Sequence, residues 1–265
     1  RDTVDIAFIS KYVQQRDSYE SLNEALVHGG VANQLKPCLH YVDSERLETE
    51  NVEDHLASMD GILVAPGFGE RGMEGKIAAV EYARTYRVPF FGICLGMQMA
   101  VVECARNLCG LKEAHSAEFR QDHEQNVIDL MPGQEEHVET GGTMRLGSYP
   151  ARLKKGSRIA SIYRTTEIVE RHRHRYEVMN RFIPVLEEAG MSISGRNPEH
   201  DLVETIEFND HPWFIGCQYH PELQSKPLQP HPLFASFIKS AYEFRKFRLG
   251  QEDQEQAKTV QAGNG

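Results

Sequence analysis

The sequence predicts an α/β fold: an open, mostly parallel central sheet flanked by helices, with an added antiparallel section. Two observations carry this. Before Asn126, β-rich runs alternate with helical segments, the rhythm of βαβ units whose sheet is covered on both faces. From about Asn126 shorter β-like pieces follow one another, which suits antiparallel strands added to that sheet.

Taken in order, VDIAFIS (Val4 to Ser10) is a short buried strand. SYESLNEALVHGG follows as a helix, with apolar spacing at Leu22, Ala25 and Leu26, Ser18 as cap and Gly29-Gly30 as stop. QLKPCLHYVDS reads as a second strand, and ERLETENVEDHLASM as a polar connection with helical character. GILVAPGFG is an apolar strand ending in a glycine turn, and EGKIAAVEYARTYR an amphipathic helix. VPFFGIC is the next strand, running into a helix from about Leu95. The later pieces are NVIDLM, TMRLGSYPARL, HRYEVM, MSISG, LVETIEF and WFIGCQY, closed by the helix HPLFASFIKSAYEFRKFRL. The main domain is expected over 1–250. Residues 251–265 lack apolar periodicity and are expected to form a disordered tail.

A formal net charge of −10 argues against general nucleic-acid or anionic-membrane binding, which calls for basic surface. No apolar run approaches the roughly 20 residues that cross a bilayer. Nor is there a basic-then-apolar leader, so a cytoplasmic location is expected. The chain opens on Arg1 rather than methionine, which suggests an excised piece of something longer. Its five cysteines are too scattered for a disulfide framework. Cys104 and Cys109 have no second close pair to complete a zinc site and read as helix packing.

Cys94 stands apart. Gly92-Ile93-Cys94-Leu95-Gly96 is a G-x-C-x-G pattern between a strand and a helix, the thiol version of a nucleophile elbow. The glycines permit a turn so tight that a Cβ at either flank would clash. The helix that follows offers unpaired N–H groups and a positive dipole end, which favour a thiolate and a developing oxyanion. A buried apolar cysteine is the bland alternative. A nucleophile needs a base, and the base needs an orienting partner. Near the other end WFIGCQYHPE breaks at Pro221, which cannot continue a central strand, and so places His220 at the sheet's end with Glu222 beside it. Cys94, His220 and Glu222 thus make a candidate thiol triad.

With those residues in view, PFFGICLGMQ and the later QYHPE resemble the class I glutamine amidotransferases. DGILVAPGFGERGMEGKIAAVEYAR, GICLGMQMAVVE, GGTMRLG, ERHRHRYEVM and DHPWFIGCQYHPE resemble, more narrowly, the glutaminase domains of the CTP synthase family. The resemblance implies a class I glutamine amidotransferase-like fold that hydrolyses L-glutamine. Cys94 would attack the substrate carboxamide, with an oxyanion hole from the N–H groups of Gly67 and Leu95. His220 would act as acid and base, held by Glu222. Gly67, Leu95, Gly96, Met97, Gln98, Glu118 and Arg175 would contact glutamine. It further implies an amidoligase (synthetase) domain in the same polypeptide, absent from this chain, binding ATP, Mg2+ and UTP, and a homotetramer for the full-length enzyme. No cofactor is expected in this domain. GTP would be an allosteric activator acting on a lid at Arg71, Gly72 and Glu74.

Other readings stand beside these. The glycine-rich stretch from Gly67 to Gly75 is not a P-loop and is otherwise a flexible connection. In HRHRYE the period-two alternation would put His172 and His174 on one strand face and Arg173 and Arg175 on the other. A His-x-His metal site lacks obvious partner ligands. Glu118 lies in a polar stretch where a solvated carboxylate is the default. The family usually has Pro-Gly-Gly where this chain has Ala65-Pro66-Gly67. Alternatives of function are a glutaminase for another amidotransferase, a γ-glutamyl hydrolase, and a non-catalytic partner-binding module.

Overall fold

The computed structural model describes residues 2–11, 19–67, 69–121, 123–130 and 144–263, with side chains as far as Gln251. In chain order the elements are β1 (Thr3–Ser10), α1 (Glu20–Ala32), β2 (Lys36–Asp43), α2 (Val52–Leu56), β3 (Gly61–Val64), α3 (Met73–Thr85), β4 (Phe90–Ile93) and α4 (Leu95–Asn107). There follow β5 (His115–Ser116), β6 (Asn126–Asp129), β7 (Arg145–Leu153), α5 (Arg158–Tyr163), β8 (Glu167–His174) and β9 (Glu177–Val178). The last are α6 (Ile183–Glu188), β10 (Met191–Arg196), β11 (Val203–Phe208), β12 (Phe214–Cys217) and α7 (Pro232–Gly263).

The main sheet has nine strands in the order β2-β1-β3-β4-β12-β11-β10-β7-β8. Its first five are parallel and the rest join antiparallel, as the change of texture at Asn126 predicts. β5, β6 and β9 form a separate small sheet. Period-two side chains split the core into two layers. From β1, Ile6 and Phe8 pack on the side of α1 and α7, while Ala7 and Ile9 pack on the side of α3 and α4.

Four sequence expectations need correction. Gly29-Gly30 does not stop α1, which runs on to Ala32. Both glycines are buried because neighbours press on the helix: a Cβ on Gly29 would lie 2.7 Å from Phe234 O, and one on Gly30 2.4 Å from Pro37 Cδ. HRYEVM is not one strand, since β8 ends at His174 and Glu177–Val178 joins the small sheet. Cys109 lies beyond the end of α4, its thiol 3.3 Å from Val185 O, although Cys104 does pack within the helix. Finally, the segment taken for a disordered tail continues α7 as far as Gly263. Its residues lack an apolar stripe, but Glu, Gln, Ala and Lys are good helix formers, so missing periodicity does not mean missing helix. The Ser18 cap and the first three residues of GGTMRLG lie outside the described residues.

Candidate active site

Two parallel neighbours, β4 and β12, build the site. They are in register, Ile93 beside Cys217, so both run out at the same end of the sheet. Cys94 N–H donates to Cys217 O at 2.8 Å, and the two chains then diverge into α4 and the His220-Pro221-Glu222 turn. Ligand sites in open α/β sheets collect at these carboxyl ends.

Cys94 occupies the corner with φ 52° and ψ −105°, a conformation that side chains rarely adopt. Surrounding backbone enforces it. A Cβ on Gly92 would lie 2.8 Å from the Gly96 carbonyl, and one on Gly96 2.2 Å from Val64 O. The thiol is therefore presented, only 6% exposed, at the N-terminus of a 13-residue helix.

His220 N–H is anchored on Arg171 O of β8 at 2.8 Å. Glu222 Oε1 accepts from His220 Nδ1 at 2.7 Å, fixing the ring. Among the described residues Nε2 is buried with no partner at ordinary hydrogen-bond distance, and the Cys94 sulfur is the group that acts on it. Burial opposes charge on this ring, but the Cys94 sulfur and then Glu222 outweigh it and raise His220 to about 10. The ring is thus suited to hold a proton beside the sulfur.

A cavity of about 380 Å³ opens over the sulfur, lined by Gly67, Leu95, Gln98, Glu118 and Arg175 among others. These are five of the positions that the resemblance assigns to glutamine. Gly96 and Met97 are not on this wall. Gly96 backs onto Val64 O, and Met97 is fully buried against Gly216, because an N-terminal helical turn can direct only part of its circumference at the cavity. Glu118 Oε1 accepts from Gly69 N–H at 3.3 Å, and burial raises its pKa against that bond and the nearby Lys76. Arg175 forms no ion pair among the described residues. Ala65 N–H is held by Ile9 O at 3.0 Å, so the Ala65-Pro66 departure still delivers Gly67 to the cavity.

Of the proposed lid residues, Arg71 pairs with Glu45, Gly72 caps α3 in a left-handed conformation, and Glu74 pairs with Arg106 of α4 at 2.8 Å. β8 alternates as its sequence predicts, with His172 and His174 inside and Arg173 out. Arg175 escapes the alternation because the strand has ended. The two histidines contact each other at 2.9 Å. Nearby Arg145 bridges Glu177 at 3.1 Å and Glu204 at 2.6 Å. Burial, then Arg145, holds both rings neutral, with His172 lowered to about 2 and His174 to about 3. No group of three or more His, Cys, Asp or Glu side chains arranged for a metal occurs among the described residues.

Sequence reasoning missed Gln218, whose Nε2 lies 3.6 Å from Cys94 Sγ, and the wall residues Met144, His174 and Tyr176. It also missed Lys76, a lysine within the buried stripe of α3. A signal existed for both: Gln218 shares the period-two face of Gly216, and Lys76 falls at helical spacing from Met73 and Val80.

The family model for class-I glutamine amidotransferases matches residues 15–240. CTP synthase of Geobacter sulfurreducens is 56% identical over 243 residues, 92% of this chain and 45% of that protein. CTP synthase of Syntrophus aciditrophicus is 54% identical over 251 residues, 95% of this chain and 46% of that protein. The chain therefore spans about half the length of the curated relatives it matches. Among solved structures, the Trypanosoma brucei CTPS glutaminase domain with bound acivicin superposes with a TM-score of 0.85 at 38% identity, covering 91% of this chain and 94% of that one. A glutamine amidotransferase from Thermotoga maritima, 11% identical with a TM-score of 0.51, shares the fold. Among the described residues no helix is long and apolar enough to cross a membrane.

Proposed function

The chain belongs to the class I glutamine amidotransferase family, and from that premise we propose that it is the glutaminase unit of a CTP synthase, releasing ammonia from L-glutamine. The observation that carries this reading is the set of charges gathered at one sheet end: a strained thiol at a helix N-terminus, an imidazole raised to about 10 beside it, and a carboxylate 2.7 Å from that imidazole.

Glutamine would lie in the cavity with its α-ammonium toward Glu118 and its α-carboxylate toward Arg175. The Cys94 sulfur attacks the γ-carboxamide carbon, forming a C–S bond and an oxyanion that the Gly67 and Leu95 N–H groups receive. His220 gives its proton to the departing nitrogen, which leaves as ammonia with the C–N bond pair. The neutral ring next takes a proton from water, and the hydroxide breaks the γ-glutamyl thioester to glutamate and thiolate. Glu222 keeps Nε2 directed at the reaction throughout.

The ammonia would then serve an ATP- and Mg2+-dependent amination of UTP in a synthetase domain, the activity that the relatives' name implies. GTP would act through Arg71, Gly72 and Glu74. A glutamine-mimicking chloroketone tests the first half directly. A single adduct on Cys94, blocked by excess glutamine and absent from Cys94→Ala, is expected. Labelling spread over other cysteines, or unaffected by glutamine, overturns the reading in favour of a partner-binding module.

A further inference from the structure

Lys76 interrupts an otherwise apolar stripe. On α3 it lies among Met73, Ile77 and Val80, all buried, and is itself only 2% exposed. A buried ammonium is costly unless other charges compensate it. Its head lies beneath the glycine turn, since a Cβ on Gly67 would be 3.3 Å from Nζ. The charges that act on it belong mostly to the thiol site. Burial dominates and brings Lys76 down to about 8, with Lys11 at the end of β1 adding to the fall, while the Cys94 sulfur and the Glu118 carboxylate oppose it. In return, Lys76 pulls Glu118 toward its carboxylate form.

We propose that Lys76 is a positioning residue of the thiol site, its buried ammonium under the Gly67 turn balancing the negative charge carried by the sulfur, the oxyanion and Glu118. The inference rests on the reading of Cys94 as the glutaminase nucleophile. During attack, charge moves from the sulfur to an oxygen beside Gly67, and a fixed cation under that turn stays near it in both states. No proton need pass from Lys76. It acts by field, and by keeping Glu118 ionised for the substrate ammonium. Its effect is present while Lys76 is protonated and is lost as pH rises through about 8, before His220, held to about 10, releases its own proton.

The test is the rate of Cys94 modification by the glutamine-mimicking chloroketone, followed by peptide mass from about pH 6 to about 10. The chain is compared with Lys76→Met, which keeps the stem without charge, and Lys76→Arg, which keeps a charge that does not titrate in this range. The reagent's own amine titrates alike in every sample, so the ratio of rates is the readout. Wild type should outpace Lys76→Met about tenfold at neutral pH, with the ratio falling to about one above the lysine's titration. Lys76→Arg should show no such fall. Identical pH profiles in wild type and Lys76→Arg overturn the inference, even if Lys76→Met fails to fold. Absence of any Cys94 adduct in wild type overturns the glutaminase reading instead.

Discussion

Gln218 donates its side-chain amide to the sulfur of Cys94 across 3.6 Å. Its carbonyl oxygen accepts from Gln98 Nε2 at 3.2 Å, and the same Nε2 also reaches Tyr176 O at 3.1 Å. The two amides therefore tie the nucleophile to the cavity wall beside Arg175. A donor aimed at sulfur stabilises its negative form more than its neutral one.

Gln218→Met keeps the volume and deletes that donor. A hydrogen bond to a charged group contributes about 1.5–3 kcal/mol, so chloroketone modification of Cys94 should slow by about 10-fold or more. An unchanged rate would make the amide a packing group only.

Glu222→Gln retains the shape of the turn but removes the charge that orients and supports His220. Glutamine hydrolysis should fall by about 10²–10⁴-fold. An NMR titration should show the ring releasing its proton well below the wild-type value of about 10. A histidine that titrates as before would mean that Cys94 alone holds its charge.

Gly96→Ala should be among the most destabilising single changes in the chain. Its Cβ would fall 2.2 Å from Val64 O, a backbone atom inside the sheet that cannot swing aside. A loss of about 3 kcal/mol or more, read as a lower urea midpoint, is expected. A near-wild-type midpoint would show that α4 can shift on the sheet.

His211 gives the fold an acid limit away from the thiol site. It is 4% exposed, accepts from Trp213 N–H on Nδ1 at 3.1 Å and so donates from Nε2 to Ala83 O at 3.0 Å. Burial lowers it to about 4, only partly offset by the Ala83 bond. Below its unfolded value of about 6.5 the unfolded chain binds a proton that the folded chain refuses. Stability is thus full above that value and is lost as pH falls toward about 4, by roughly 2 kcal/mol at about pH 5. Urea unfolding should show wild type losing roughly 2 kcal/mol more than His211→Gln between about pH 7 and about pH 5, the fall due to His172 and His174 being common to both.

The alternation of strands and helices, the glycine-flanked thiol and the turn at His220-Pro221 were legible in the sequence, since each depends on local backbone chemistry. It also carried the parity of His172 and His174, which a strand's two-residue period dictates. Only the tertiary structure decided what lies 124 positions apart in the chain yet touches, Gln218 on Cys94. The reason is the parallel pairing of β4 with β12, a long-range register that no local pattern encodes. The same holds for Gly29 and Gly30, which look like a helix stop until Phe234 and Pro37 press against them, and for Lys76, whose buried head lies beneath the Gly67 turn.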